Sequence, residues 1–337
     1  MNKIERVRAA IKGEEVDRIP VSFYMHNHAI ESQTDKIADY LLYMNKKFDW
    51  DFLKAGLRPS YYAEAWNCRV RFFPDKVPEL ETYVVHNADD LERLDKVDPK
   101  TGVLAEHVKV AKELHRELRG KQLFVMTLFS PLTVAGRLAG GVVNTPSEYQ
   151  NLLTLIKENP KAVHQGLTVI TETLCDYARE LIRAGADGIY LSTSVWSGGV
   201  LSEKEYREFA KPYELSVLDA VNREGATFNI MHICRENIQF ELFSDYPVDI
   251  FNYETTSPNN LSLQEAMGKT KKALWGGLDH RRTLLEGPIE KITEEVHTAL
   301  DQTGGKRFFL GPGCTSSSLI PDAHYVAARE ATFTWRK

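Results

Sequence analysis

Phe228-Asn229-Ile230-Met231-His232-Ile233-Cys234 is a short apolar run that ends in a His-x-Cys pair. Such a run reads as a buried strand. Side chains alternate between the two faces of a strand, so His232 and Cys234 project to one side, as two ligands of one ion must. A third candidate, Cys314, stands eighty positions downstream in Leu310-Gly311-Pro312-Gly313-Cys314-Thr315. The three converge only if the fold gathers the ends of distant strands at one face.

Upstream of this stretch the pattern alternates. Residues 2–12 read as an amphipathic helix stopped by Gly13, and Arg18-Ile19-Pro20-Val21-Ser22-Phe23-Tyr24 reads as a first strand running into Met25-His26-Asn27-His28. A helix over 34–47 precedes a second strand at 51–55. Residues 61–86 are aromatic and alternating, and are expected to form a β-hairpin inserted after strand two. A helix over 103–119 leads to a strand at 122–128, and helices over 147–157 and 160–184 lead to a strand at 186–191. That strand opens into the polar loop Ser192-Thr193-Ser194-Val195-Trp196-Ser197-Gly198-Gly199, a candidate site wall. Ser202 with Glu205 forms a capping box for a helix to about residue 224.

Downstream, a helix over 237–244 is followed by a strand at 248–253 with Glu254 at its end. A strand at 273–276 leads to Leu278-Asp279-His280. A helix over 288–303, a strand at 307–310 and a helix over 322–334 complete the chain. Eight strands alternating with helices, and no Pro/Gly/Ser-rich linker, predict an α/β fold: one (β/α)8 TIM barrel over residues 1–337. The alternative, a doubly wound sheet, lacks a Gly-rich dinucleotide fingerprint after its first strand.

The chain has 337 residues, 43% of them apolar, enough for a large core. A net charge of −5 and a pI near 6.1 give no general basic surface, which argues against a nucleic-acid partner. No apolar signal core or membrane-spanning run is present, so a cytoplasmic protein without a membrane partner is expected. In a reducing compartment, four cysteines point to metal binding or catalysis before disulfides.

In a barrel the loops after the strands form one active face, so His232, Cys234 and Cys314 are expected to meet there. Zinc at a catalytic site commonly takes three protein ligands and leaves a fourth position, which Glu254 could fill. Two thiolates make zinc a weaker Lewis acid, suited to activating a thiol. Taken singly, His232 reads more often as a satisfied core histidine, and each cysteine as a small buried hydrophobe; it is their joint placement that favours zinc. A Cys234–Cys314 disulfide is the other alternative. His26 and His28 are candidates for binding substrate, as are Asp279 and His280, each with a structural role as the plainer reading. Arg137 could clamp an anion, or sit in a surface ion pair. Cys175, Cys68, His86, His107, His115, His164 and His297 read as packing or surface residues.

Along nearly its full length the chain resembles the uroporphyrinogen decarboxylase superfamily. The resemblance is carried by Arg8-Ala9-Ala10-Ile11-Lys12-Gly13-Glu14 with Val16-Asp17-Arg18-Ile19-Pro20, by Leu201-Ser202 with Tyr206, Phe209, Pro212 and Tyr213, and by Gly276-Gly277-Leu278-Asp279. It implies a (β/α)8 barrel. The decarboxylases carry an arginine-rich stretch after the first strand and an aspartate after the second, where this chain reads Met25-His26-Asn27-His28 and Phe52-Leu53-Lys54. His232, Cys234 and Cys314 are instead similar to the zinc ligands of the methylcobamide:coenzyme M methyltransferase branch, although Arg235 and Thr315 replace glycines usual there. A similar order in cobalamin-independent methionine synthase supports Glu254 as fourth ligand. The resemblance implies Zn2+, a methyl-corrinoid carried by a partner protein, and a small thiol acceptor, with catalytic roles for Glu254, His26 and His28 and cofactor contacts from Arg137 and Asp279. A homodimer is a further expectation. The alternatives are a tetrahydrofolate- or homocysteine-using methyltransferase of the same barrel, or a decarboxylase or lyase.

Overall fold

The computed structural model describes residues 1–140, 149–194 and 200–335. Its strands are β1 Phe52–Ala55, β2 Val70–Arg71, β3 Glu79–Leu80, β4 Leu123–Phe129, β5 Gly188–Thr193, β6 Ile230–Ile233, β7 Ile250–Asn252, β8 Ala273–Leu278 and β9 Phe308–Pro312. The helices before β5 are α1 Lys3–Lys12, α2 Thr34–Phe48, α3 Tyr61–Ala65, α4 Ala88–Glu92, α5 Gly102–Leu118, α6 Pro131–Ala139, α7 Gln150–Glu158 and α8 Pro160–Arg183. After it come α9 Glu203–Phe209, α10 Lys211–Arg223, α11 Leu263–Lys269, α12 Thr283–Glu286, α13 Ile289–Thr303 and α14 Asp322–Thr334.

Seven strands form one parallel sheet in the order β1-β4-β5-β6-β7-β8-β9, joined by α-helical crossovers except between β6 and β7, where the connection holds a 3-10 turn. The sheet curls so far that one extended segment, residues 20–25, reaches both of its edges. On one side Ser22 N donates to Leu310 O (3.0 Å), Leu310 N to Pro20 O (2.9 Å) and Ser316 N to Tyr24 O (3.0 Å). On the other, Asp51 N donates to Val21 O (2.8 Å) and Ser22 Oγ to Phe52 O (2.8 Å). The first strand expected over 18–24 is therefore present as isolated parallel bridges, Val21 to Leu310 and Met25 to Ser316, with no continuous ladder. Pro20 has no N–H to offer.

Inside the curl, Phe52, Tyr190, Ile230, Ile250, Trp275 and Phe309 form a buried cluster, into which α1 inserts Val7 and Ala10. Trp275 lies edge-on to Phe52, with ring centroids 4.8 Å apart, and donates from Nε1 to Ser22 O (3.1 Å). A Cβ at Gly311 would stand 2.1 Å from that Nε1, so glycine is the one residue that lets the indole reach the backbone. The larger core lies outside the curl, where the helices cover the sheet.

Several elements differ from expectation. Residues 61–86 do not form one hairpin: Tyr61–Ala65 is a helical turn that buries Tyr61, Tyr62 and Ala63, and the antiparallel ribbon is limited to Val70 with Leu80 and Arg71 with Glu79. Glu64 holds the turn by accepting from Arg58 Nη2 and Ser60 Oγ. The single helix expected over 203–224 is broken at Ala210, because Pro212 can occupy the first turn of α10 but not the interior of a longer helix. The helix expected near 237–244 is a 3-10 turn at Phe240–Phe243. Helices α4, α6, α11 and α12 were not anticipated. Residues 195–199 of the expected site wall and the start of the helix expected at 147 lie outside the described residues. Among the described residues, no helix is long and apolar enough to cross a membrane.

Candidate metal centre at the strand ends

His232 lies on β6 and Cys234 just past its end, where Cys234 N donates to Thr193 O of β5 (2.9 Å). Cys314 follows β9 after Gly313, whose missing side chain matters: a Cβ there would come within 2.6 Å of Glu254 Cα. The turn thus presses against the β7 loop and delivers its thiol inward. Cys234 Sγ stands 3.9 Å from Cys314 Sγ, and Cys314 Sγ stands 3.6 Å from His232 Nε2. All three donor atoms lie within 4.8 Å of one another. A tetrahedral zinc with bonds of about 2.3 Å to sulfur and about 2.0–2.1 Å to nitrogen separates its donors by about 3.6–3.8 Å. The residues fit the ion.

Hydrogen bonding fixes the tautomer of His232. The β6–β7 register pairs His232 with Asn252. The Asn252 amide nitrogen donates to Trp275 O (2.8 Å) and Pro312 O (3.0 Å), so its oxygen must face the other way. There it accepts from Tyr190 Oη (2.9 Å) and from His232 Nδ1–H (2.7 Å). With the proton on Nδ1, the Nε2 lone pair is free to face the thiols, as a metal-ligating histidine requires.

The hydrogen bond between the two sulfurs pushes the Cys314 thiol below its usual range, against its burial. The same bond together with burial pushes Cys234 up. Two sulfur donors beside a neutral imidazole nitrogen form a soft donor set suited to zinc.

A cavity of about 170 Å3 opens above these donors. Lys54, at the end of β1, is 4% exposed, and its Nζ lies 4.0 Å from the ring centroid of Tyr24 and 4.6 Å from that of Tyr190. Burial brings its ammonium down to about 7. Arg137 also lines the cavity. It is 1% exposed, with its guanidinium carbon 3.7 Å from the Phe129 ring centroid and Nη1 donating to Pro59 O, so the surface ion pair is excluded.

Of the other expected residues, His26, His28 and His280 lie around the mouth. Glu254 is buried, which pushes its carboxyl up, and its Oε1 accepts from Arg281 Nη2 (2.6 Å). The group within 4.8 Å comprises His232, Cys234 and Cys314 without it. Asp279 accepts from Arg281 N and Arg282 N (both 3.0 Å) and pairs with Arg282, so its carboxylate organises the turn after β8. His26 and His28 face Glu31, and together with His280 and Arg281 they line an outer cleft of about 860 Å3 that also reaches Cys314. His107 is buried against Tyr61, and His164 stacks on Phe209, as packing residues.

Sequence reasoning missed Asn252, Lys54, Tyr24, Tyr190 and Arg281. A buried polar residue one strand over from a ligand histidine was the available signal for Asn252, and a lysine closing the apolar strand Phe52-Leu53 was the signal for Lys54.

The profile of the family described as Uroporphyrinogen decarboxylase (URO-D) matches residues 2–332. The uroporphyrinogen decarboxylase of Pseudoalteromonas translucida is 27% identical over 68% of this chain, which spans only 64% of that protein. The methylcobamide:CoM methyltransferase MtbA of Methanosarcina acetivorans is 22% identical over 95% of this chain and 94% of its own. A solved methyltransferase from Methanosarcina mazei superposes over 99% of this chain and 98% of its own, with a TM-score of 0.84 at 21% identity. That likeness concerns the fold.

Proposed function

The chain belongs to the uroporphyrinogen decarboxylase family, and from that premise we infer that it is a zinc-dependent methyltransferase that moves a methyl group from a corrinoid protein to a small thiol. The observation that carries this reading is the donor spacing at His232, Cys234 and Cys314, 3.6 and 3.9 Å, with the histidine tautomer fixed by Asn252. Zinc held there would let an acceptor thiol lose its proton at neutral pH. The chain's own residues do the rest. Asn252 keeps the His232 lone pair toward the thiols. Tyr24, Tyr190 and Lys54 wall the cavity and exclude water from it. Glu254, whose carboxylate accepts from Arg281, would be the residue to supply a fourth donor to a metal held here.

Full-length similarity to a methylcobamide:CoM methyltransferase supports the corrinoid donor. Lys54, where the decarboxylases place an aspartate, weakens the decarboxylase reading that the 27% identity favours. The fold is read as one (β/α)8 barrel over residues 1–337, with segment 20–25 as its eighth strand and β2–β3 as an insertion after the second. Its hydrogen bonds to both sheet edges support that. A cytoplasmic homodimer completes the proposal.

The test is metal analysis of the purified protein with a methylcobalamin assay at neutral pH, followed by its loss of absorbance in the presence of thiols. One zinc per thiol pair is expected, with methyl transfer lost in Cys314→Ser while the fold persists. A wild-type protein without zinc at these residues would overturn the reading.

A further inference from the structure

We propose that His26, His28 and Glu31 form a second divalent-cation site, of the two-histidine, one-carboxylate kind, opening on the same cleft as the thiol pair. The three side chains come from one loop just past the closing segment, and their donor atoms lie within 4.8 Å of one another. The two imidazoles stack nearly parallel, with centroids 5.4 Å apart at 15°, so that Nδ1 of each faces one oxygen of the same carboxylate; the His28 contact is 3.0 Å. Glu31 is 5% exposed.

A buried carboxylate ordinarily recruits an arginine or a lysine. Here the nearby guanidinium of Arg58 does not serve it: Nη1 donates to the backbone carbonyl of Glu31 (3.3 Å), while Nε and Nη2 are spent on Glu64. The carboxylate is left with two imidazole nitrogens, a donor set that suits Zn2+, Fe2+, Co2+ or Ni2+ with open positions. The loop is held by hydrogen bonds from Ile30 N and Glu31 N to Asn27 O (3.0 and 3.1 Å) and is anchored where Met25 bridges Ser316. The His26 and His28 side chains are 25% and 17% exposed, so the open positions face the outer cleft. His26 and Cys314 line both that cleft and the inner cavity. A cation on this loop would therefore take an oxygen donor, such as a carboxylate or carbonyl, of a molecule whose other end reaches the thiols.

The experiment is an anaerobic Co2+ titration of the full chain stripped by a chelator, with metal counted by mass spectrometry. Cobalt at the cysteine site gives an intense near-ultraviolet thiolate-to-metal band; cobalt on two nitrogens and a carboxylate gives only weak visible bands. Wild type is expected to take up two equivalents. The double variant Cys234→Ser with Cys314→Ser should keep one equivalent without the thiolate band, and Glu31→Gln should keep the thiolate band and lose the other equivalent. A folded serine variant that binds no cobalt, or a Glu31→Gln protein that still binds two equivalents, overturns the proposal. Should the serine variant fail to fold, the comparison of Glu31→Gln with wild type decides it. A wild type that lacks the thiolate band but keeps an equivalent sensitive to Glu31→Gln would overturn the cysteine site alone.

Discussion

Replacing Asn252 by Ala removes one amide on which five groups converge: the carbonyls of Trp275 and Pro312, the Tyr190 and Tyr24 hydroxyls and His232 Nδ1–H. Groups that orient a metal-ligating histidine are typically worth about 10–100-fold in metal affinity. Asn252→Ala is therefore expected to weaken zinc binding by about that factor in a chelator competition, although Asn252 touches no metal. An unchanged affinity would show that the tautomer is set elsewhere. The cluster of His232, Cys234 and Cys314 was legible in the sequence, because His-x-Cys at period two on an apolar run is a local pattern. Asn252 and Lys54 were not, because their roles depend on which strand lies next to which, and register is a property of the sheet.

At the next scale, β8 and α13 meet where Asp279 N donates to Glu295 Oε2 (3.0 Å). Burial raises the Glu295 carboxyl to about 7. The folded state therefore holds this proton more tightly than the unfolded chain does, with a stabilisation that is full below about pH 4.5 and lost as pH rises through 7. Glu295→Gln keeps an oxygen acceptor and has no proton to lose. It is expected to match wild type in urea denaturation near pH 4 and to exceed it above pH 7.5, by on the order of 1–2 kcal/mol after allowance for partial exposure. Equal curves at both pH values would refute this account. The same scale shows where pattern reading failed. Tyr61 and Tyr62 look like alternating strand residues, yet Pro59, Ser60 and Glu64 close a helical turn around them. The apolar residues of α6 are buried on every side, so no period distinguished helix from loop. Strands β4 and β5, long and flanked by clear helices, were readable with small shifts of boundary.

The whole molecule is tied together at its amino-terminal end by Asp51, which is fully buried. It accepts from Arg6 Nη1 (2.7 Å), Arg18 Nη1 (2.5 Å) and Nη2 (2.9 Å), and Val21 N (2.8 Å), joining α1 and the closing segment to β1. Removing it leaves two guanidinium groups short of their counter-charge. Asp51→Ala is expected to cost about 3–5 kcal/mol in chemical denaturation, and a loss below about 1 kcal/mol would mean that the closing segment is held by its backbone alone. The curled parallel sheet was legible because alternation of strand and helix is written along the chain; the closing segment was harder, since its bonds run to residues near the opposite end. That separation bears on how the protein is made. Cys234 leaves the ribosome eighty residues before Cys314, so the second thiol joins it only once β9 has been made. A chain cut short of Cys314 has, at this centre, only the His-x-Cys pair. Under the zinc reading, metal at the cysteine centre would therefore report that both ends of the sheet have been assembled.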